Sequence, residues 1–79
     1  MIELFQFESC PFCAKVRRKL EELDVEYMAI PCHAGSKNRA RLRELGGKEQ
    51  VPFLVDTETG TKMYESDDII AYLEEQYAS

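Results

Sequence analysis

A strand pattern runs directly into a helix start over residues 2–13, IELFQFESCPFC. Residues 2–7 are almost continuously apolar, as in a strand that is covered on both faces of a sheet. Proline suits the first position of a helix, because its φ is already helical and the N–H that it lacks would have no partner there. We therefore expect a helix to begin at Pro11, with Cys10 at its N-cap and Cys13 in its first turn.

The two thiols of this stretch indicate redox chemistry. A helix N-terminus carries roughly half a positive charge and free N–H groups, and both favour a thiolate at Cys10 over the thiol. Such a position lowers a cysteine pKa from about 8.5 into a range of about 3.5–7.5, and the thiolate is the reactive form. Cys13 is close enough to attack a mixed disulfide formed by Cys10. The pair is therefore predicted to be a redox dithiol with an exposed sulfur at Cys10.

The helix that begins at Pro11 is predicted to extend to residue 23 and to be amphipathic. Arg17 and Arg18 precede two glutamates by four residues, so this side of the helix is expected to be charged and solvated. The apolar stripe on the other side, at helical spacing, consists of Cys13, Val16, Leu20 and Leu23.

Further strand and helix patterns follow along the chain. Ser66 is predicted to cap the last helix, with two aspartates in its first turn. The other predicted elements are strands at 25–30, 52–55 and 61–64, a short basic helix at 37–45, a turn at 56–60, and a last helix with the buried stripe Ile69, Ile70, Leu73 and Tyr77. This order predicts a single α/β domain over residues 1–79, with one mixed four-stranded sheet and helices on both faces.

Composition narrows the classes of function. Hydrophobic residues make up 44% of the 79 residues and charged ones 32%, a globular balance rather than that of a disordered chain. The net charge of −5 leaves no basic stripe for phosphates, so no nucleic-acid partner is expected. No signal-peptide pattern is present, and no run approaches the roughly 20 apolar residues of a membrane span. Three cysteines cannot form a full disulfide framework, so we expect a cytoplasmic monomer without a membrane partner.

Three motifs together resemble a known family. They are Cys10-Pro11-Phe12-Cys13 after the first strand, Gln50-Val51-Pro52 before the third, and Glu65-Ser66-Asp67-Asp68-Ile69 at the last helix. In this order they resemble the glutaredoxins, and most closely the thioredoxin-fold N-terminal domain shared by glutathione transferases and transferase-like glutaredoxins. The resemblance implies a thioredoxin fold and glutathione-dependent thiol–disulfide exchange on disulfide-containing or glutathionylated proteins. It implies no permanently bound cofactor, with glutathione or a related γ-glutamyl thiol as the reductant.

The resemblance also assigns roles to single residues. Cys10 would be the nucleophile and Cys13 the resolving thiol. The backbone of Val51 would pair with the cysteinyl part of glutathione, as an added strand does. Ser66 and the helix N–H groups would take the γ-glutamyl carboxylate, and an acid would take the amine. Pro52 would be a cis-proline. The implied glutathione site consists of Pro11, Phe12, Gln50, Val51, Pro52, Glu65, Ser66 and Asp67.

Charge near the site is less well determined by the sequence. A cation is expected for the glycine carboxylate of glutathione, and Lys48, Arg43 and Lys37 are the candidates. Many small glutaredoxins carry a lysine shortly before the first cysteine, whereas this chain has Glu8 there. An acid at this place opposes thiolate formation, so we expect the pKa of Cys10 to be lowered less than in the relatives that carry lysine.

Other functions are compatible with the same residues. A zinc site would need two further ligands besides the cysteine pair, and Cys32 and His33 are awkward because adjacent residues of an extended segment point in opposite directions. We therefore predict no metal site. An iron–sulfur cluster shared between two copies of the chain, with glutathione as an extra ligand, is an alternative that occurs in some relatives. The chain could also be a non-catalytic glutathione- or partner-binding module, or an electron donor that a thioredoxin-type reductase reduces. Conjugating transferase activity is not expected, since the second, helical domain of transferases does not follow.

Overall fold

Four strands and three helices follow one another in the order that the sequence predicts. The computed structural model describes residues 1–78. The elements are β1 (Ile2–Gln6), α1 (Pro11–Glu22), β2 (Tyr27–Pro31), α2 (Asn38–Gly46), β3 (Phe53–Asp56), β4 (Thr61–Tyr64) and α3 (Ser66–Tyr77).

The four strands form one mixed sheet in the order β2-β1-β3-β4. β1 is parallel to β2, with Phe5 opposite Ile30, and antiparallel to β3, with Phe5 opposite Phe53. β3 and β4 form an antiparallel hairpin across the predicted turn. The predicted α/β class and mixed four-stranded sheet are confirmed. Because β1 is an interior strand, the loop that leaves its carboxyl end brings Cys10 to the middle of that edge of the sheet.

Apolar residues fill the space on both faces of the sheet, because successive side chains of a strand point to opposite sides. Leu4 lies on the face that α1 and α3 cover, and Phe5 on the face that α2 covers. The first cluster is formed by Ile2, Leu4, Val16, Leu20, Leu54, Ile69 and Leu73. The second is formed by Phe5, Ile30, Cys32, Leu42, Phe53 and Val55. The prediction of helices on both faces is therefore confirmed.

The second strand begins later than its sequence pattern indicates. Val25 still belongs to the end of α1, because its N–H donates to the carbonyl of Leu20 (2.9 Å) after Asp24 has turned the chain with a φ of 55°. β2 therefore starts at Tyr27 rather than at residue 25. It also includes Pro31, which an edge strand tolerates because no ladder partner needs the missing N–H.

The last helix begins differently from the prediction, in which Ser66 caps it. Glu65 occupies the N-cap, and its carbonyl accepts the first helical hydrogen bond, from the N–H of Ile69 (2.9 Å). Ser66 is thus the first helical residue, and no side chain caps the helix. The shift arises because Glu65 has a φ of 74°, so the chain turns one residue earlier.

A buried carboxylate joins α3 to the hairpin at the end of the sheet opposite the thiols. Asp56 is fully buried and accepts hydrogen bonds from the hydroxyls of Tyr72 (2.8 Å) and Tyr77 (2.7 Å). Burial acts to raise the pKa of Asp56. The two tyrosines and the backbone N–H of Glu58 outweigh burial and hold this pKa below its ordinary value. The hydrogen bond to Asp56, together with burial, raises the pKa of Tyr77.

Candidate functional site

The two cysteines of the motif meet at the start of α1, as predicted. Cys10 is the N-cap residue with an extended backbone, and Pro11 is the first helical residue. The backbone N–H of Cys13 donates to the Sγ of Cys10 (3.3 Å), and the N–H of Ala14 donates to the Cys10 carbonyl (3.0 Å). The helix N-terminus thus points one N–H, that of Cys13, at the Cys10 sulfur, an arrangement that favours a thiolate.

The thiols are more enclosed than the sequence suggests. Cys10 is only 6% exposed and Cys13 is fully buried, so the expectation of an exposed Cys10 is wrong. The loop before Cys10 turns tightly, and the Phe7 carbonyl accepts the Cys10 N–H (3.2 Å). Burial, with a hydrogen bond that the Cys13 thiol donates to Cys10, raises the pKa of Cys13 to about 12. At neutral pH Cys13 is therefore a proton-bearing thiol beside Cys10.

An open pocket of about 550 Å³ lies next to the thiols. Among the predicted glutathione residues only Pro11 does not line it, and Asp68 is an additional lining residue. Phe12, which follows Pro11, is 59% exposed and forms the wall on the side of the thiols. The lining residues are Phe12, Gln50, Val51, Pro52, Glu65, Ser66, Asp67 and Asp68. Three segments distant in sequence thus converge on one pocket.

One wall of the pocket is built by the segment before β3. The Val51–Pro52 peptide bond is cis, as the family resemblance implies. Gln50 reaches across the pocket, where its Nε2 donates to Glu65 Oε2 (2.7 Å). This hydrogen bond ties the segment before β3 to the residue that begins α3.

The opposite wall is the N-terminus of α3, and it combines free N–H groups with negative charge. Ser66 is 8% exposed, and within residues 1–78 its hydroxyl makes no hydrogen bond to another protein group. Asp67 and Asp68 lie in the first turn of the helix. Asp67 Oδ1 forms an ion pair with Lys15 Nζ of α1 (2.7 Å). A carboxylate ligand would be attracted by the helix N-terminus and an amine by these acids.

None of the three candidate cations for the glycine carboxylate lines the pocket. Arg43 is paired with Glu49. The ammonium of Lys48 lies 4.9 Å from the centre of the Tyr64 ring. Lys37 is at the N-cap of α2. The choice among them stays a prediction.

The third cysteine is separate from this site. Cys32 is fully buried in the cluster on the α2 face, and burial raises its pKa. His33, its neighbour, is exposed. Over the described residues 1–78, the structure places no three or more His, Cys, Asp or Glu side chains where they could hold a metal ion. Within the same range, no helix has the length and apolar character of a membrane span.

Arg17 is the residue of this region that the sequence interpretation missed. It was expected on a solvated face before Glu21, yet its side chain is only 20% exposed and points towards β1. It donates hydrogen bonds to the side chain of Gln6 and to the carbonyls of Phe7 (3.4 Å) and Glu8 (3.1 Å). Its position one helical turn after Cys13 could have indicated that it faces the thiols.

Several solved structures share this fold. The N-terminal part of the Drosophila melanogaster glutathione S-transferase isozyme E7 matches with a TM-score of 0.87 and 26% identity over 100% of this chain and 36% of that chain. Ure2p in complex with glutathione matches with a TM-score of 0.84 and 25% identity, over 96% of this chain and 33% of that chain. A delta-class glutathione transferase of Nilaparvata lugens matches with a TM-score of 0.88 and 23% identity, over 100% of this chain and 37% of that chain. The chain thus spans little more than a third of the length of these proteins.

The sequence comparison identifies the family. No curated protein sequence matches the chain significantly. The profile of the family described as glutathione S-transferase, N-terminal domain, matches residues 4–79, which is nearly the whole chain. The fold, the cis-proline and the serine at the start of α3 are consistent with this match. The chain belongs to the glutathione S-transferase N-terminal domain family and has its thioredoxin fold.

Proposed function

We propose that this domain binds glutathione in the pocket between Phe12 and α3 and acts as a glutathione-dependent thiol–disulfide oxidoreductase. The observation that carries the proposal is the Cys13 N–H that donates to Cys10 Sγ at a helix N-terminus, beside the pocket. Solved structures of Ure2p and of a Sulfitobacter glutathione transferase homologue contain glutathione, and both share this fold.

The residues of the pocket match the groups of a γ-glutamyl thiol. The Ser66 hydroxyl and the α3 N-terminus can take the γ-glutamyl carboxylate, because that hydroxyl has no partner within the described chain. Asp67 and Asp68 supply negative charge for the amine. The backbone of Val51, ahead of β3, offers strand-like hydrogen bonds to the cysteinyl part. A ligand held in this way has its sulfur near Phe12 and Cys10.

The proposed reaction is two thiol–disulfide exchanges. The Cys10 thiolate attacks the glutathione sulfur of a mixed disulfide, and the target protein leaves as a thiolate that takes a proton from water. A second glutathione then attacks the Cys10–glutathione disulfide and releases glutathione disulfide, which regenerates Cys10. For a target with an internal disulfide, Cys10 attacks one sulfur of the target and the other leaves as a thiolate that takes a proton from water. Cys13, after losing its proton to water, attacks the Cys10 sulfur, which forms the Cys10–Cys13 disulfide and releases the target as a dithiol. Two glutathione molecules then reduce that disulfide and leave as glutathione disulfide. A reducing cytoplasm supplies the glutathione that this cycle consumes.

The enclosure of the thiols favours a second candidate function, a glutathione-binding module without turnover. Cys10 is 6% exposed, and a target sulfur needs access to it. In that case the chain would bind glutathione in the pocket, and the cysteines would be structural. The chain could instead be an electron donor that a thioredoxin-type reductase reduces. Turnover supported by that reductase, compared with turnover supported by glutathione, tests this alternative.

Single cysteine variants test the proposal. Cys10→Ser should abolish reduction of a glutathionylated peptide in a glutathione-coupled assay. Cys13→Ser should keep that activity and lose activity on a target with an internal disulfide. Cys32→Ala is the matched control, since its thiol packs on the α2 face away from the pocket, and it should keep both activities. Glutathione binding by the parent chain without turnover on either substrate would establish the binding module instead.

A further inference from the structure

Arg17 connects α1 to the loop that leads into the nucleophile. Its guanidinium donates to the Gln6 side chain at the end of β1 and to the Phe7 and Glu8 carbonyls of the loop. The Glu8 carboxylate is a further neighbour, at 3.8 Å. A planar guanidinium with acceptors in several directions is held in place, unlike a solvated arginine. The adjacent Arg18 is exposed, and within residues 1–78 it forms none of the identified hydrogen bonds or ion pairs.

The loop segment that Arg17 holds leads directly into Cys10 and lies near Cys13. The Phe7 carbonyl accepts the backbone N–H of Cys10 (3.2 Å) as well as a hydrogen bond from Arg17. The nearby backbone of Phe7 acts to lower the pKa of Cys13, against the effect of burial. The positive charge of Arg17 acts on Cys13 in the same direction. The ionisable and charged groups that bear on Cys13 in these contacts are Cys10, Arg17 and, through Arg17, Glu8.

The resolving step of the proposed reaction requires help of this kind. Cys13 must lose its proton to water before it attacks, and its burial opposes this loss. The Cys13 thiolate then forms a bond to the Cys10 sulfur of the mixed disulfide. The bond between Cys10 and the glutathione sulfur breaks, and glutathione leaves with the electron pair and takes a proton from water. The attacking step at Cys10 involves no ionisation of Cys13.

We propose that Arg17 is a positioning residue for the resolving step, which holds the Phe7–Glu8 loop against the thiol pair and supplies the positive charge that the attacking Cys13 sulfur requires. The inference rests on the proposed oxidoreductase function and deepens it, because the steps performed by Cys10 and by Cys13 then depend on different residues. We expect Arg17 to affect the second exchange more than the first, because Cys10 attacks without an ionisation of Cys13.

Transient kinetics with glutathione disulfide separate the two exchanges. The first release of glutathione, from attack by Cys10, has a rate that increases with the concentration of glutathione disulfide. The second release, from attack by Cys13, has a rate that does not. The proteins to compare are the parent chain, Arg17→Met, Arg17→Lys and the matched control Arg18→Met, each over a range of pH and each with its melting temperature.

Arg17→Met should slow the second release about threefold to tenfold. Loss of the positive charge lowers the thiolate fraction of Cys13, the greater nucleophilicity of a less acidic thiol offsets part of that loss, and loss of the loop contacts adds to the effect. In both proteins the rate of the second release should rise with pH, and at each pH it should be slower in Arg17→Met than in the parent. Arg17→Lys should recover part of the rate, because it keeps the charge without the planar contacts. The first release should change less than twofold, and Arg18→Met should behave as the parent.

The opposite results are equally clear. Equal slowing of both releases in Arg17→Met, or equal effects of Arg17→Met and Arg18→Met on the second release, would overturn the role of Arg17. Cys13→Ser should show the first release alone. If the parent chain and Cys13→Ser both release no glutathione, the proposed oxidoreductase function fails, and the inference about Arg17 fails with it.

Discussion

Removal of one hydroxyl should separate ligand binding from stability. Ser66 lines the pocket, is 8% exposed and makes no side-chain hydrogen bond within the described chain. Ser66→Ala therefore removes no hydrogen bond within residues 1–78, and alanine is the better helix former. A hydroxyl that donates to a ligand carboxylate contributes about 1.5–3 kcal/mol, which is roughly a 10- to 150-fold change in affinity. We expect glutathione to bind that much more weakly to Ser66→Ala, with an unchanged melting temperature.

Ser36 provides the opposite case in the same chain. Its hydroxyl donates to the Pro31 carbonyl (3.0 Å) and accepts the N–H of Asn38 (3.1 Å), and it lies outside the pocket. Ser36→Ala should lose about 1–2 kcal/mol of unfolding free energy, because two internal hydrogen bonds are lost. For a domain of this length that is a drop of roughly 4–16 °C in melting temperature. Its affinity for glutathione should not change.

Isothermal titration calorimetry with reduced glutathione and thermal unfolding by circular dichroism measure both quantities. The expected pattern is crossed: Ser66→Ala loses affinity alone, and Ser36→Ala loses stability alone. Parent-like affinity in Ser66→Ala would refute the assignment of the γ-glutamyl carboxylate to the start of α3. A lower melting temperature in Ser66→Ala would mean that the hydroxyl has an internal partner.

Two further predictions follow from the ionised contacts. Tyr77→Phe should lower the unfolding free energy by about 1.5–3 kcal/mol in chemical denaturation, because a hydrogen bond to a buried carboxylate is lost, and Tyr27→Phe should not. The folded chain lowers the pKa of Asp56, so this stabilisation is present above the ordinary carboxyl pKa of about 3.9 and is lost as the pH falls towards the lowered value. The difference between Tyr77→Phe and the parent should therefore narrow in acid, and a difference that widens there would contradict this linkage. Lys15→Gln should strengthen glutathione binding about two- to fivefold in calorimetry, because the ligand amine no longer competes with Lys15 for Asp67; weaker binding would show that Lys15 itself holds the ligand.

The sequence predicts those parts of the structure that short-range rules determine. The cysteine–proline boundary places the start of α1 correctly, because Pro11 fits only the first position of the helix. The mixed sheet and the core on both of its faces follow from the alternation of strand and helix patterns, whereas the order of the strands within the sheet is not predicted from the sequence. The family resemblance supplies the cis peptide at Pro52 and the residues that converge on the pocket.

The features that the sequence does not predict depend on contacts between distant segments. Glu65 has a positive φ, which residues other than glycine rarely adopt. No local sequence rule therefore predicts that α3 begins one residue earlier than its serine suggests. Arg17 satisfies the spacing rule for a solvated ion pair with Glu21, and only the folded loop supplies its stronger acceptors. Tyr77 is correctly predicted on the buried stripe, but its hydroxyl partner Asp56 lies 21 residues away.

The difference in exposure between the two thiols decides which sulfur a small oxidant would reach first. Peroxide reaches Cys10, which keeps a little contact with solvent, while Cys13 beneath it has none. A sulfenic acid formed at Cys10 can condense with the neighbouring thiol, giving an internal disulfide and one molecule of water. That disulfide is reversible, whereas further oxidation to the sulfonic acid is not. Cys13 would therefore protect the Cys10 sulfur from irreversible oxidation.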